Sequence, residues 1–338
     1  MKERFYYLDT LKVALTVLVV SHHAAEPYYP EVAWPYSPSD KAELMPWIWH
    51  FLSVNASFFM GLFFLIAGYF VPMSYDRQGF KVFAQKKFLR LGVPLIVVAL
   101  IVSIITRQLE VAHLWYVESL WVLSMLYALV RLFIKPINAQ NPARPTIFAL
   151  LIIAIVMGVG GHFIRQVSPQ DNWIWLFGFI HIEPAHYLQY VIMFVLGVLA
   201  YRFQWLKNMS NTTGAIALVM GVALAVGNYL RSDGAWSGFV NQYFGVYESL
   251  MCVFISAGLL WLFREYCNTT NSFLDWCARQ AYGAYIFHLF ILLIVQNATD
   301  AIALPGIVKF FMIAIVTTAL SFGITYLIRL IPGLKKIL

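Results

Sequence analysis

Apolar residues run through this chain in blocks separated by short polar connections, and the blocks have the lengths of membrane-crossing helices. Segments near 8–25, 47–73, 91–109, 114–134, 146–164, 186–206, 212–230, 243–263, 280–297 and 306–330 each hold an almost unbroken apolar run. A helix needs about 20 such residues to cross the hydrocarbon of a bilayer. Only closed hydrogen-bonding structures survive there, so the pattern predicts an all-α, polytopic transmembrane helix bundle of about ten spans. The connections are too short for a separate soluble domain, and residues 1–338 are expected to form one transmembrane domain. The first segment is expected to stay as a span. Asp9 and Lys12 interrupt a signal-type core, and His23 stands where a small residue would precede cleavage.

Composition agrees with the pattern. The chain is 61% hydrophobic and 12% charged, with a mean hydropathy of +0.73, whereas soluble domains are nearer half apolar and a quarter charged. The net charge of +7 matters less than its placement. One alternating set of connections holds Lys2, Arg4, the run Arg77, Lys81, Lys86, Lys87 and Arg90, and most other basic residues. The opposite set holds only Lys41, Arg107, Arg165, Arg231 and Lys309. The positive-inside rule then places both termini in the cytoplasm. The bilayer is the expected partner of this surface, and nucleic acid is not. Cys252, Cys267 and Cys277 are too few and scattered for a disulfide framework or a metal site, so no metal is expected.

Candidate chemistry comes from polar residues that interrupt the apolar blocks. Under the ten-span topology His22, His23, Asn55, Glu118, Gln189 and Glu248 share one level in the outer third of the membrane, with His288 beneath. Ionisable groups at such depth are costly and usually face a bundle interior or a wet cavity, which suggests an active site opening outward. Lys12 and His23 are eleven residues apart. On a helix this puts them within about 20° of one face and about 16 Å apart along the axis. Simpler roles stand beside these. Lys12 can pair with Asp9 at i, i+3 or snorkel to the interface. Glu118 and Glu248 can be interfacial, and His288 can be a packing hydrogen bonder. Lys87 and Arg90, one turn apart ahead of Pro94, suit an anionic cofactor arriving from the cytoplasm. The outer connections 26–46 and 165–185 carry Tyr28, Tyr29, Trp34, Tyr36, Trp173 and Trp175, which are interfacial anchors or platforms for carbohydrate.

Several blocks read together resemble the integral-membrane acyltransferase 3 superfamily. LDTLKVALTVLVVSHHAA (8–25) is similar to its signature of a basic residue, ten residues and a histidine, with Lys12 where the family usually has Arg. FFMGLFFLIAGYF (58–70) resembles its second-helix block, with Ala67 in place of the usual Ser. FAQKKFLRLGVP (83–94), HLWYVESL (113–120) and RQAYGAYIFHLFIL (279–292) resemble three further blocks, in family order. The set is most similar to branches that modify glucans or surface polysaccharides.

The resemblance implies about ten helices in a plasma membrane, bacterial inner or cytoplasmic. It implies acyl-CoA as a co-substrate rather than a permanently bound cofactor. An acetyl or succinyl group would pass to a hydroxyl of an extracytoplasmic glycan or glycolipid. On this expectation Lys12, Lys87 and Arg90 hold the nucleotide end of the donor. His23 is the base or the nucleophile, supported by His22, because an imidazole exchanges protons near neutrality. Glu118 or Glu248 orients the imidazole, and Asn55 or His288 donates to the thioester oxyanion. A transporter or flippase is the alternative, though no matched halves with broken helices are visible.

Overall fold

The computed structural model describes residues 4–136, 143–231 and 235–338; Lys2 of the basic set lies outside them. The described chain is almost wholly helical. Its helices are α1 (Tyr6–Ala25), α2 (Trp49–Lys87), α3 (Val93–Thr106), α4 (Trp115–Phe133), α5 (Ile147–Val167), α6 (Pro184–Arg202), the short α7 (Trp205–Asn208), α8 (Asn211–Tyr229), α9 (Ala235–Gln242), α10 (Phe244–Tyr266), α11 (Ser272–Thr299) and α12 (Gly306–Arg329). One hairpin, β1 (Ile174–Leu176) and β2 (Ile180–Ile182), joins α5 to α6, pairing Ile174 with Ile182 antiparallel. Capping oxygens mark where several helices start: Thr146, Ser210 and Asn271 each accept from a backbone amide of the first turn.

Eight helical stretches among the described residues are long and apolar enough to cross a membrane, and the protein is a multi-pass integral membrane protein. Two features separate eight from the expected ten. The expected spans 47–73 and 91–109 fall in one stretch, Pro46–Thr106, because helix resumes after a kink at Gly79 and a π-helical turn at Phe88–Gly92 joins α2 to α3. That stretch is not one straight helix, because its backbone leaves the helical range at Gly79. The first helix is absent from the eight, since Asp9, Lys12, His22 and His23 dilute its apolar run. The other expected segments match their helices within a few residues, except that α11 starts eight residues earlier than 280.

The chain divides into two compact units. The first takes residues up to Phe59 and those from Tyr266 to Lys336. Within it α1 packs against both α11 and α12, which pack on each other. Ala24, Tyr28, Ile48, Leu292 and Ile313 form part of its core. The connection from α1 to α2 is not a free loop. Short 3-10 turns at Glu26–Tyr28, Lys41–Glu43 and Pro46–Ile48 fold it back on itself, and the Met45 amide donates to the Tyr28 carbonyl at 2.8 Å.

The second unit, Met60–Glu265, is held by close helix contacts at small residues. A Cβ added to Gly68 of α2 would lie 2.1 Å from the Phe194 carbonyl of α6, and one on Gly197 would lie 2.0 Å from the Leu65 carbonyl. Two backbones meet there because neither carries a side chain, the usual means of tight packing where burial from water gives helices no reason to associate. Further along, α2 breaks at Gly79, whose φ of 71° is open to glycine and strained for other residues.

Candidate active site

In the first unit the last turn of α1 places two histidines beside a carboxylate. Glu26 follows His23 by three residues, and the chain stays helical long enough to bring them together. His23 Nδ1 lies 2.7 Å from Glu26 Oε2. His22 Nε2 lies 3.7 Å from the other oxygen, too far for a hydrogen bond. The His23 ring is parallel within 20° to Trp34 and within 22° to His288, each at 5.4 Å between centroids. His22 meets it edge-on at 5.5 Å. The His23 side chain keeps 22% of its surface exposed, so the ring is braced yet reachable. A carboxylate only accepts, so Nδ1 of His23 carries the proton of that bond. In the neutral ring Nε2 is then left with its lone pair.

The structure brings four expected residues, His22, His23, Asn55 and His288, into this unit. Asn55 is buried, and its amide nitrogen makes no hydrogen bond among the described residues. It precedes Phe59 by one turn of α2, and Phe59 packs on the His22 ring at 4.9 Å. Asn55 therefore lies on the face that α2 turns toward the histidines. His288 is fully buried and donates from Nδ1 to the Tyr285 carbonyl at 2.5 Å. Its neutral ring then presents an acceptor at Nε2, which does not suit the expected role of oxyanion donor.

At the other end of α1, Lys12 pairs with Asp9 at 2.9 Å while remaining 36% exposed. Asp9 also binds Arg4, which reaches Asp275 of α11. The helix runs unbroken from Lys12 to His23, so the separation of about 16 Å stands.

Glu118 and Glu248 belong to the second unit, and each has partners of its own there. Glu118 accepts the His181 backbone amide at 2.8 Å. Glu248, only 2% exposed, is paired with Arg165 and accepts from His186 Nε2 at 2.9 Å, while His186 Nδ1 is held by Glu183. The carboxylate that the structure places on His23 is Glu26, which the sequence reading did not single out. His181 stacks on Trp175 at 4.5 Å, with Trp173 at 4.9 Å, and burial in the hairpin lowers its pKa against the opposing pull of Glu110. Lys87 ends α2 with its ammonium 5.5 Å from the Phe83 ring centre, and Arg90 is exposed in the π-turn. Among the described residues no group of three or more His, Cys, Asp or Glu is placed to hold a metal ion.

Glu26 and Glu183 had a local signal, since each stands three residues from its histidine. Trp34 had none, because what fixes it lies far along the chain. Its indole donates to Gln296 Oε1 at 3.0 Å across a separation of 262 residues.

A family model described as an acyltransferase domain matches residues 5–328. Two similar proteins are the Glucans biosynthesis protein C of Escherichia coli O17:K52:H18 (strain UMN026 / ExPEC) and that of Escherichia coli strain K12. Each is 25% identical over 275 residues, covering 71% of this chain and 69% of the relative. No solved structure matches.

Proposed function

This chain belongs to the acyltransferase domain family matched over its residues 5–328, and from that premise we propose the reaction it catalyses. It is a membrane acyltransferase. The proposed donor is a cytoplasmic acyl-CoA carrying an acetyl or succinyl group. The proposed acceptor is a hydroxyl of a glycan or glycolipid on the other side of the membrane, with both termini in the cytoplasm. The names of the similar proteins, which concern glucan biosynthesis, support a carbohydrate acceptor.

The single observation that carries the proposal is the contact of His23 Nδ1 with Glu26 at 2.7 Å. It fixes the tautomer and leaves Nε2 as a base. In the proposed step the acceptor oxygen attacks the thioester carbonyl while its proton passes to Nε2. The tetrahedral intermediate then collapses, the C–S bond breaks, and the proton moves from Nε2 to the departing thiolate. Glu26 stabilises the imidazolium that forms between these transfers. The Asn55 amide is the proposed donor to the oxyanion. Lys12 is the proposed cation for the phosphate end of the donor. Its salt bridge to Asp9 is partly exposed, and such pairs contribute little and exchange readily. Lys87 and Arg90 are candidates for the same phosphate chemistry, to be tested by separate substitution. Glu118 and Glu248 are assigned to holding the second unit together.

The test uses the full chain reconstituted in liposomes with labelled acetyl-CoA or succinyl-CoA and glucan oligosaccharides. Wild-type protein should label the glycan, and His23→Ala should lower kcat by about 10²–10⁴-fold, the usual worth of a general base. Unchanged transfer by His23→Ala would remove His23 from the chemistry. Glycan uptake independent of any acyl donor would favour transport instead.

A further inference from the structure

We propose that Trp34 is a positioning residue for His23, and that the strap carrying it, residues 26–46, keeps water from competing with the acceptor hydroxyl at His23 Nε2. The inference rests on the acyl-transfer reading above and gives that reaction its selectivity for alcohol over water.

The strap is far longer than its task as a connector requires. Helix–helix connections in bundles usually take about 2–8 residues, whereas this one runs through 26–46 and carries 3-10 turns of its own. This one is also fastened at three places, all inside the first unit. At its middle the Trp34 indole donates to Gln296, which is fully buried. A few residues on, Asp300 accepts from the Tyr36 hydroxyl at 2.7 Å, the Ser39 amide at 3.1 Å and the Ser39 hydroxyl at 2.5 Å. Near its end, Lys309 is wholly buried and donates to Glu43 at 2.5 Å and to the Asp300 carbonyl at 3.0 Å. Gly306 lets the Glu43 backbone come so close that a Cβ there would sit 2.1 Å from its carbonyl oxygen.

A buried lysine–carboxylate pair is a poor way to gain stability, because desolvating two charges offsets most of their attraction. It is an effective way to hold a segment in one position. What the fastening holds is an indole laid along the catalytic ring. Trp34 lies along one face of the imidazole, 5.4 Å between centroids and within 20° of parallel, while Glu26 occupies the Nδ1 edge.

The chemical need is plain. An activated thioester beside a histidine base reacts with any hydroxyl that reaches Nε2. With the acceptor, the thioester C–S bond breaks, an ester C–O bond forms, and the acceptor's proton ends on the thiol. With water the same steps yield a free carboxylic acid and the thiol. Excluding water is how a transferase avoids becoming a hydrolase.

The experiment measures partition: labelled glycan ester against labelled free acid, using the reconstituted full chain with acetyl-CoA or succinyl-CoA, whichever the wild type turns over. Trp34→Leu should raise the ratio of hydrolysis to transfer by about fivefold or more, lower kcat for transfer, and leave KM for the donor unchanged. Trp34→Phe keeps an aromatic face and should restore the ratio most of the way. Asp300→Asn, which leaves the indole intact and loosens only the strap, should shift the ratio in the same direction. If Trp34→Leu and Asp300→Asn keep the wild-type ratio while His23→Ala loses both reactions, the strap proposal fails and acyl transfer by His23 stands. If His23→Ala still transfers, the reading beneath it fails as well. A uniform loss of both reactions in Trp34→Leu, with the ratio unmoved, also overturns the proposal.

Discussion

His23 and His186 each have a glutamate three residues away, and the protein uses the two pairs in opposite ways. His23 meets Glu26 through one nitrogen, is braced by flat ring contacts and stays partly exposed. His186 meets Glu183 through one nitrogen and Glu248 through the other, with Arg165 also on Glu248. The first arrangement leaves an edge for chemistry. The second uses both edges, so the ring links two carboxylates, and with Arg165 it completes a balanced set of two acids and two bases inside the second unit. A histidine–glutamate pair at helical spacing is therefore not by itself a sign of catalysis. What decides is whether the second nitrogen is committed.

The largest expected difference comes from removing each ring. His23→Ala should leave folded protein that does not transfer acyl groups. His186→Ala should cost stability instead, because buried Glu183 and Glu248 then lose the ring that links them. Breaking a buried charge network typically costs about 3–5 kcal/mol. Thermal unfolding in detergent beside activity per folded molecule would separate the two, and a stable, inactive His186→Ala would erase the contrast.

Next in size is Glu26→Gln. It keeps a polar partner at Nδ1 but loses the charge that stabilises the imidazolium. The expected fall in kcat is about tenfold to a hundredfold, below that for the base itself. A loss as large as that of His23→Ala would mean that Glu26 does more than orient the ring.

A smaller effect tests the framework of the second unit alone. Gly197→Leu drives a side chain into the Leu65 carbonyl and should cost about 1–3 kcal/mol, the range for overpacking, read as a lower unfolding temperature. Gly238, with open space around it, is the control position.

The smallest effect is in pH. Hydrogen bonds from Ser39, then Tyr36, hold the Asp300 carboxyl down at about 2, below the ordinary aspartate value of about 3.9. A depressed carboxyl contributes its stabilisation in full above its unfolded value and loses it as pH falls through the folded one. The strap should therefore stay fastened at neutral pH and loosen only between about pH 4 and pH 2. Protease cleavage within 26–46, followed across that window in wild type and Asp300→Asn, would check it. Asp300→Asn should be cut readily at neutral pH.

The helices were legible because a spanning helix needs only a long enough apolar run, and such runs are local. The spacing of Lys12 and His23 was legible for the same reason, since an unbroken helix converts residue number into angle and height. Counting spans was harder: the polar run 74–90 marks where two spans part, yet the chain stays helical through most of it, with a kink at Gly79 and a π-turn at Phe88–Gly92. Of the site, the histidines were visible as polar residues in apolar surroundings. Glu26 was visible only as one acid among several in a polar connection. Nothing near Trp34 or Glu43 announces Gln296 or Lys309. Those pairings come from packing α11 and α12 against α1, and no local pattern encodes which distant residues a fold will bring together.

That same distance in sequence sets an order of events. His23 and Glu26 leave the ribosome well ahead of His288, Gln296, Asp300 and Lys309. Translation adds residues at about 5–20 per second and segments fold as they emerge, so until α11 and α12 are made the chain carries its proposed base without the helices that brace it. The ring gains its stacking partner and the strap its anchors only when α11 and α12 arrive. A nascent chain, or one truncated before them, would expose an unsheltered imidazole that has no way to tell a sugar from water.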